Sequence, residues 1–115
     1  MMLSKVQEIL QATCLNESVG TEKEVSKACA ADLLSDVLAL TEANTVLLTG
    51  LIHGQVVRTA EMLDLAAVVV VRGKKPSEEM LAIATEKGIP LYSTQYNMYR
   101  AVGKLYHAGL RGEED

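Results

Sequence analysis

The chain contains no tryptophan and no phenylalanine, and its aromatic content of 3% consists of four tyrosines. Proteins that hold single strands of nucleic acid stack bases on aromatic platforms, so that class is disfavoured at the outset. An excess of positive charge is missing too: 11 Lys and Arg stand against 15 Asp and Glu, a formal net charge of -4. No global field therefore collects nucleic acid or an anionic membrane surface. Only two cysteines and two histidines occur. Cys14 and Cys29 form no C-x-x-C pair and are too few to staple a secreted scaffold, which fits a reducing cytoplasm; both read as small buried hydrophobes. His53 and His107 lie far apart without a metal-ligand spacing, so no metal is expected. Polar residues interrupt the first eight positions where a signal peptide needs a continuous apolar run. The longest apolar run, Leu65 to Val71, is too short to cross a bilayer. G-x-G-x-x-G and G-x-x-x-x-G-K-[ST] are both absent, which removes the dinucleotide and P-loop fingerprints and leaves no cofactor implied. The expectation is a soluble cytoplasmic protein that binds neither nucleic acid nor membrane.

What is present is a globular composition in a chain of 115 residues and 12.4 kDa, with 49% hydrophobic residues that are almost all aliphatic. That is enough for one core. Leu3, Val6 and Leu10 recur at helical spacing, which predicts an opening amphipathic helix. After a turn-rich stretch from Asn16 to Thr21, a short strand is expected within Val25 to Ala30. Asp32 is placed to cap the next helix, which carries Leu33, Leu34, Val37, Leu38 and Leu40, with Ser35 and Asp36 facing water. From Thr45 a unit of apolar strand, polar turn and amphipathic helix repeats three times. Its strands are Thr45 to Leu51, Ala67 to Val71 and Ile89 to Tyr92. The continuous valines of the second suit a strand covered on both faces. The middle helix has clear ends: Pro76 suits its first turn, Glu78 and Glu79 favour the N-terminal dipole, and Lys87 then Gly88 close it. Ser93 or Thr94 is placed to cap a last helix ending near Ala108. The predicted fold class is α/β, a small parallel or mixed sheet of four to five strands flanked by helices. One domain would span 1–110, with a charged, frayed tail at 111–115.

In such sheets ligands bind outside the carboxyl ends of the strands. Candidate binding residues are therefore Thr49, Gly50 and His53 after the first repeat strand, Arg72 and Gly73 after the second, and Ser93 and Thr94 after the third. Hydroxyls, bare backbone and an Arg followed by Lys74 and Lys75 suit a small anionic ligand such as a phosphate or nucleotide. Ordinary strand-to-helix turn chemistry explains the same residues. No acid, base or nucleophile is tied to His53 by spacing, so no catalytic residue is assigned.

The tyrosines all fall late in the chain, at 92, 96, 99 and 106. Tyr99 and Tyr106 are seven apart and share a helix face near Met98, Val102 and Leu105. Either this face is core or it is an interface, since Tyr and Met are enriched in the centres of protein contacts. Tyr96, Met98, Tyr99 and Tyr106 are the candidate interface residues, with a two-fold homodimer as the expected assembly.

The stretches Leu48-Thr49-Gly50-Leu51-Ile52-His53-Gly54-Gln55-Val56-Val57-Arg58-Thr59-Ala60-Glu61-Met62 and Val70-Val71-Arg72-Gly73-Lys74-Lys75-Pro76 resemble the DRTGG domain family, as does Ser93-Thr94 leading into Tyr96 to Leu105. The segment from Glu22 to Ser35 falls where that family has its naming motif. There Glu22-Lys23 stands for Asp-Arg and Lys27-Ala28 for Gly-Gly, while Asp32-Leu33-Leu34-Ser35 fits more closely. The resemblance implies a fold like the N-terminal domain of HPr kinase/phosphorylase. It also implies an accessory role, because such domains accompany CBS domains in regulated pyrophosphatases, occur within long phosphotransacetylases, and stand alone near iron hydrogenase genes. The functions to weigh are thus a non-catalytic regulatory or interaction module, acting on an enzyme or signalling protein; a sensor of a small anionic metabolite; and a small enzyme of unknown reaction.

Overall fold

The computed structural model describes residues 1–113. Its elements in chain order are α1 (Leu3–Leu10), β1 (Thr13–Cys14), β2 (Lys27–Ala30), α2 (Leu34–Leu40), β3 (Thr45–Thr49), α3 (Gly54–Leu63), β4 (Ala67–Val70), α4 (Glu78–Lys87), β5 (Leu91–Ser93) and α5 (Met98–His107). One five-stranded sheet runs in the order β1-β5-β4-β3-β2. The pairs β2/β3, β3/β4 and β4/β5 are parallel, and β1 is antiparallel to β5. The sheet is therefore mixed, and its two faces are covered by different helices.

Side-chain alternation along the strands explains the layering. Val46, Leu48, Val69 and Tyr92 pack with Leu3, Val6 and Leu10 of α1 and Ala101 and Leu105 of α5. Leu47, Val68, Val70 and Leu91 pack on the other face with Val37, Val56, Ala60, Met80 and Ile83. Every residue of β3 and β4 is buried, as strands sandwiched between helix layers require. The helices α2, α3 and α4 each cross from one parallel strand to its neighbour on the same face. The chain leaves β5 for the opposite face, where α5 lies against α1.

Several boundaries differ from the sequence expectation for identifiable reasons. The cap of α2 is Leu33, which makes no side-chain cap bond; Asp32 turns instead toward the end of β3. The cap of α5 is Asn97, whose side chain accepts from the Arg100 amide at 2.9 Å, so neither Ser93 nor Thr94 caps it. Pro76 lies just outside α4, because Ser77 is the cap and its hydroxyl accepts from the Met80 amide at 3.0 Å. Gly88 ends α4 at φ +71°, a conformation that glycine adopts without a Cβ penalty. The strands are shifted or shorter, β3 ending at Thr49 and β5 spanning Leu91–Ser93.

Strand β1 is too short to announce itself in sequence. It is extended by the side chain of Asn16, which is 5% exposed. The Asn16 amide accepts from Leu91 N–H at 2.9 Å and donates to the Ile89 carbonyl at 2.8 Å, replacing a backbone peptide beside β5. At the other edge, the Ala28 N–H donates to the Arg111 carbonyl at 2.9 Å. Lys27 meets Glu113 at 3.4 Å and Glu42 at 3.2 Å, so residues 111 and 113 lie along β2. Glu114 and Asp115, the rest of the expected tail, lie outside the described residues. Among the described residues no helix is long and apolar enough to cross a membrane.

Candidate functional site

The four parallel strands deliver their carboxyl ends to one rim, and the connections there are tightly bonded. Asp32, just after β2, accepts from the Gly50 N–H at 2.6 Å and from the Thr49 hydroxyl at 3.1 Å. The same hydroxyl accepts from the Leu51 N–H at 3.1 Å, which turns the chain at the end of β3. Lys74, after β4, donates to the Gly50 carbonyl at 2.8 Å. Asp32 and Lys74 therefore hold the peptide units on either side of Gly50. Thr49 is buried, and its oxygen is engaged inside the protein.

After β4 the chain makes a four-residue turn, with the Lys74 N–H donating to the Val71 carbonyl at 3.3 Å. Both central residues, Arg72 and Gly73, have φ +64°. Two left-handed residues in succession match a type I′ turn, and the arginine there costs about 1 kcal/mol relative to glycine. Gly73 is fixed by contact as well as by φ: a Cβ on it would sit 2.5 Å from Gln95 Oε1. The turn is clasped to the loop after β5, because Arg72 N–H donates to the Tyr96 carbonyl and Gly73 N–H to the Thr94 carbonyl, each at 2.8 Å. Thr94 in turn donates its hydroxyl to the Leu10 carbonyl at 2.7 Å and accepts from the Tyr96 N–H at 3.2 Å. Its side chain is a structural rivet.

Beside this clasp lies a cleft of about 290 Å³, lined by Leu15, Gly73, Lys74, Lys75, Pro76, Leu81 and Ser93. Its position follows from the topology. The connection from β4 leaves to the face of α4 and that from β5 to the face of α5, so the two loops part and open a crevice at the strand ends. Leu15, Pro76 and Leu81 give it an apolar wall; Lys74, Lys75 and the Ser93 hydroxyl give it a polar side. Among the described residues the side chains of Lys75, Ser93, Arg72 and His53 have no hydrogen bond or ion pair. Glu78 and Glu79 stand in the first turn of α4. Glu79 is directed at α3, since its Oε1 lies 2.5 Å from where a Cβ on Gly54 would be.

The expected binding residues thus divide. Ser93 and Gly73 line the cleft. Arg72 adjoins it through the turn with its side chain exposed. Thr49, Gly50 and Thr94 hold the rim together, and His53 is an exposed residue at the start of α3 that makes no side-chain cap bond. Leu15 and Leu81 escaped sequence reasoning, the first because β1 was invisible, the second because it reads as one more apolar helix position. Of the expected interface residues, Tyr99 is 90% and Tyr106 50% exposed, while Tyr96 and Met98 are half-buried against the core under α1 and α5. The tyrosine stripe is therefore not core. Cys14 and Cys29 are free and half-buried. Tyr92 is buried, and among the described residues its hydroxyl meets no hydrogen-bond partner at ordinary geometry, the Cys14 thiol being the polar group beside it. Burial, with the Cys14 thiol beside it, pushes its pKa up to about 12.

Together the layers and the cleft define a small α/β domain with a polar, tightly bonded rim at the carboxyl ends of its parallel strands. The chain belongs to the DRTGG domain family, whose sequence model matches residues 5–108. No curated protein matches it. Among solved structures it is similar to the CBS and DRTGG domains of the regulatory region of Clostridium perfringens pyrophosphatase, a structure complexed with the activator diadenosine tetraphosphate. The TM-score is 0.67 at 14% identity, covering 90% of this chain and 45% of that one. That likeness shows the shared fold, and this chain spans less than half of the neighbour's length.

Proposed function

We propose that this DRTGG domain is a non-catalytic regulatory module that senses a small anionic metabolite with an apolar portion, a nucleotide being the class that fits, in the cleft between the ends of β4 and β5. The observation that carries the reading is the set of uncommitted polar groups there. Among the described residues Lys75 and Ser93 line the cleft with no side-chain partner, whereas the neighbouring Thr49 and Thr94 hydroxyls are bonded within the protein. The apolar wall of Leu15, Pro76 and Leu81 suits a flat ring, and the amino groups suit a phosphate. The clasp between the two loops supplies a route for regulation, because a ligand at Ser93 and Lys75 touches both connections that the Arg72 and Gly73 amides tie together. The neighbouring regulatory region, bound to a nucleotide activator, supports the same reading by analogy.

The test is a thermal-shift panel of adenine nucleotides, sugar phosphates and acetyl phosphate. A ligand at a hundredfold excess over its Kd adds about 2.7 kcal/mol of stability, which raises the Tm of a domain this size by roughly 10 °C. Lys75→Glu, at an exposed position, is expected to abolish the shift without lowering the Tm of the free protein. No shift with any member of the panel at millimolar concentration refutes the reading.

A further inference from the structure

The outer face of α5 is a second surface that the fold leaves uncovered. Ala101 and Leu105 face the sheet, while Tyr99, Val102 and Tyr106 are 90%, 38% and 50% exposed. Positions 99, 102 and 106 stack into a single stripe on a helix. The stripe runs into an apolar slot of about 160 Å³ between α5 and the edge strand β2, whose walls include Ala28, Ala30, Leu48, Val102 and Leu110. Cations rim this surface. Arg100 lies over the Tyr96 ring at 4.6 Å, Lys104 over the same ring at 5.8 Å, and Arg111 over Tyr106 at 3.8 Å. Not one Asp or Glu occurs between Gly88 and Gly112, in a chain whose net charge is -4. Among the described residues Arg100, Lys104 and Arg111 form no ion pair, and the nearest acid in sequence, Glu113, is held by Lys27.

We propose that this face docks an acidic segment of a partner protein, one in which Asp or Glu residues flank a bulky apolar side chain that enters the slot. The assignment rests on charge and shape together and is independent of whether the cleft binds a nucleotide. A second copy of this chain is a poor occupant, because a two-fold contact sets identical patches face to face and would bring the same three cations of each copy together. Nucleic acid is a poor occupant as well. Stacking along a strand needs a series of bare aromatic faces, yet Tyr96 and Tyr106 each carry a cation on a ring face, the exposed Tyr99 leaves a single bare ring on this surface, and the slot walls are aliphatic. An acidic, apolar-bearing segment satisfies the stripe, the slot and the rim at once.

The probe is a short fluorescein-labelled peptide of alternating Glu and Leu with one central Phe, titrated with the full chain and followed by anisotropy. Saturable binding that weakens as salt rises is expected, with no binding of the same peptide carrying Lys for Glu. The double variant Arg100→Glu, Lys104→Glu is expected to weaken binding by about tenfold or more. Tyr99→Ala is expected to weaken it while the far-UV circular dichroism spectrum stays that of the parent chain, since Tyr99 is solvent-exposed. The proposal is overturned by failure to saturate at near-millimolar protein or by binding insensitive to the charge reversal. It is equally overturned by tighter binding of a labelled single-stranded oligonucleotide, or by a dimer in sedimentation that Tyr99→Ala dissociates.

Discussion

Replacing Asn16 by alanine gives the most quantitative test of how the cleft wall is built. The Asn16 side chain is buried and makes two hydrogen bonds to backbone, accepting from Leu91 N–H at 2.9 Å and donating to the Ile89 carbonyl at 2.8 Å. Alanine leaves both backbone groups without a partner in a place closed to water, and each such group costs about 1–3 kcal/mol. The sum is about 2–6 kcal/mol, a large fraction of the 5–15 kcal/mol typical of a whole domain. Asn16→Asp should be no better than alanine at neutral pH, because a carboxylate can accept from Leu91 but cannot donate to Ile89 and buries an unpaired charge against that carbonyl oxygen. Urea unfolding followed by circular dichroism measures the difference directly, as a lower midpoint at unchanged slope. The same substitution loosens β1 from β5 and with it Leu15, so ligand-induced stabilisation should fall as well. An Asn16→Ala protein within about 0.5 kcal/mol of the parent, the scatter expected of ordinary surface changes, would refute the claim that this side chain completes the sheet.

Gly54→Ala is expected to cost about 1–3 kcal/mol, because its Cβ would lie 2.5 Å from Glu79 Oε1 and 2.8 Å from Ile83 Cδ1 between α3 and α4. Adding Glu79→Ala should restore part of that loss, and additive losses in urea melts would show that the close contact is absent. Tyr92 gives a pH signature: its ordinary value of 10.0 is raised to about 12 in the fold, chiefly by burial. The unfolded chain therefore releases the phenolic proton at a lower pH than the folded one. The associated stability is complete below pH 10 and is lost as the pH climbs toward 12. Tyr92→Phe removes a buried hydroxyl whose nearest polar neighbour is the weakly bonding Cys14 thiol, so it should leave neutral-pH stability equal or up to about 1 kcal/mol higher. It should also flatten the alkaline decline; an unchanged decline in pH-dependent melts would assign it to other groups.

Much of the architecture is legible because its signals are local. The valines of β4 announce a strand buried on both faces, and Glu78, Glu79, Lys87 and Gly88 mark α4 to within a residue or two. The positions of Arg72, Gly73 and Ser93 at strand ends follow from the same periodicity. What sequence conceals is set by contacts between distant residues. Asp32 reads as a helix cap, as an aspartate before an apolar helix should. It is drawn away because the Gly50 amide and the Thr49 hydroxyl, 18 and 17 residues downstream, offer it two bonds. Thr94 reads as a cap or a ligand group, yet its hydroxyl donates to the Leu10 carbonyl, 84 residues upstream. Strand β1 is two residues long and is completed by a side chain, which no period-2 pattern can reveal. The tyrosines are visible as a cluster from the start, but which of them face water depends on how α5 is turned against α1.

The proposed function requires the cleft between the ends of β4 and β5 to take an anionic, ring-bearing ligand. Amide chemical-shift mapping with adenosine diphosphate on isotopically labelled protein tests it most directly. Saturable shifts are expected at residues 72–75 and at Ser93 and Leu15, together with Thr94 and Tyr96 across the clasp, all lost in Lys75→Glu. Shifts confined to α5 or to the opposite end of the sheet, or none at millimolar nucleotide, would contradict it.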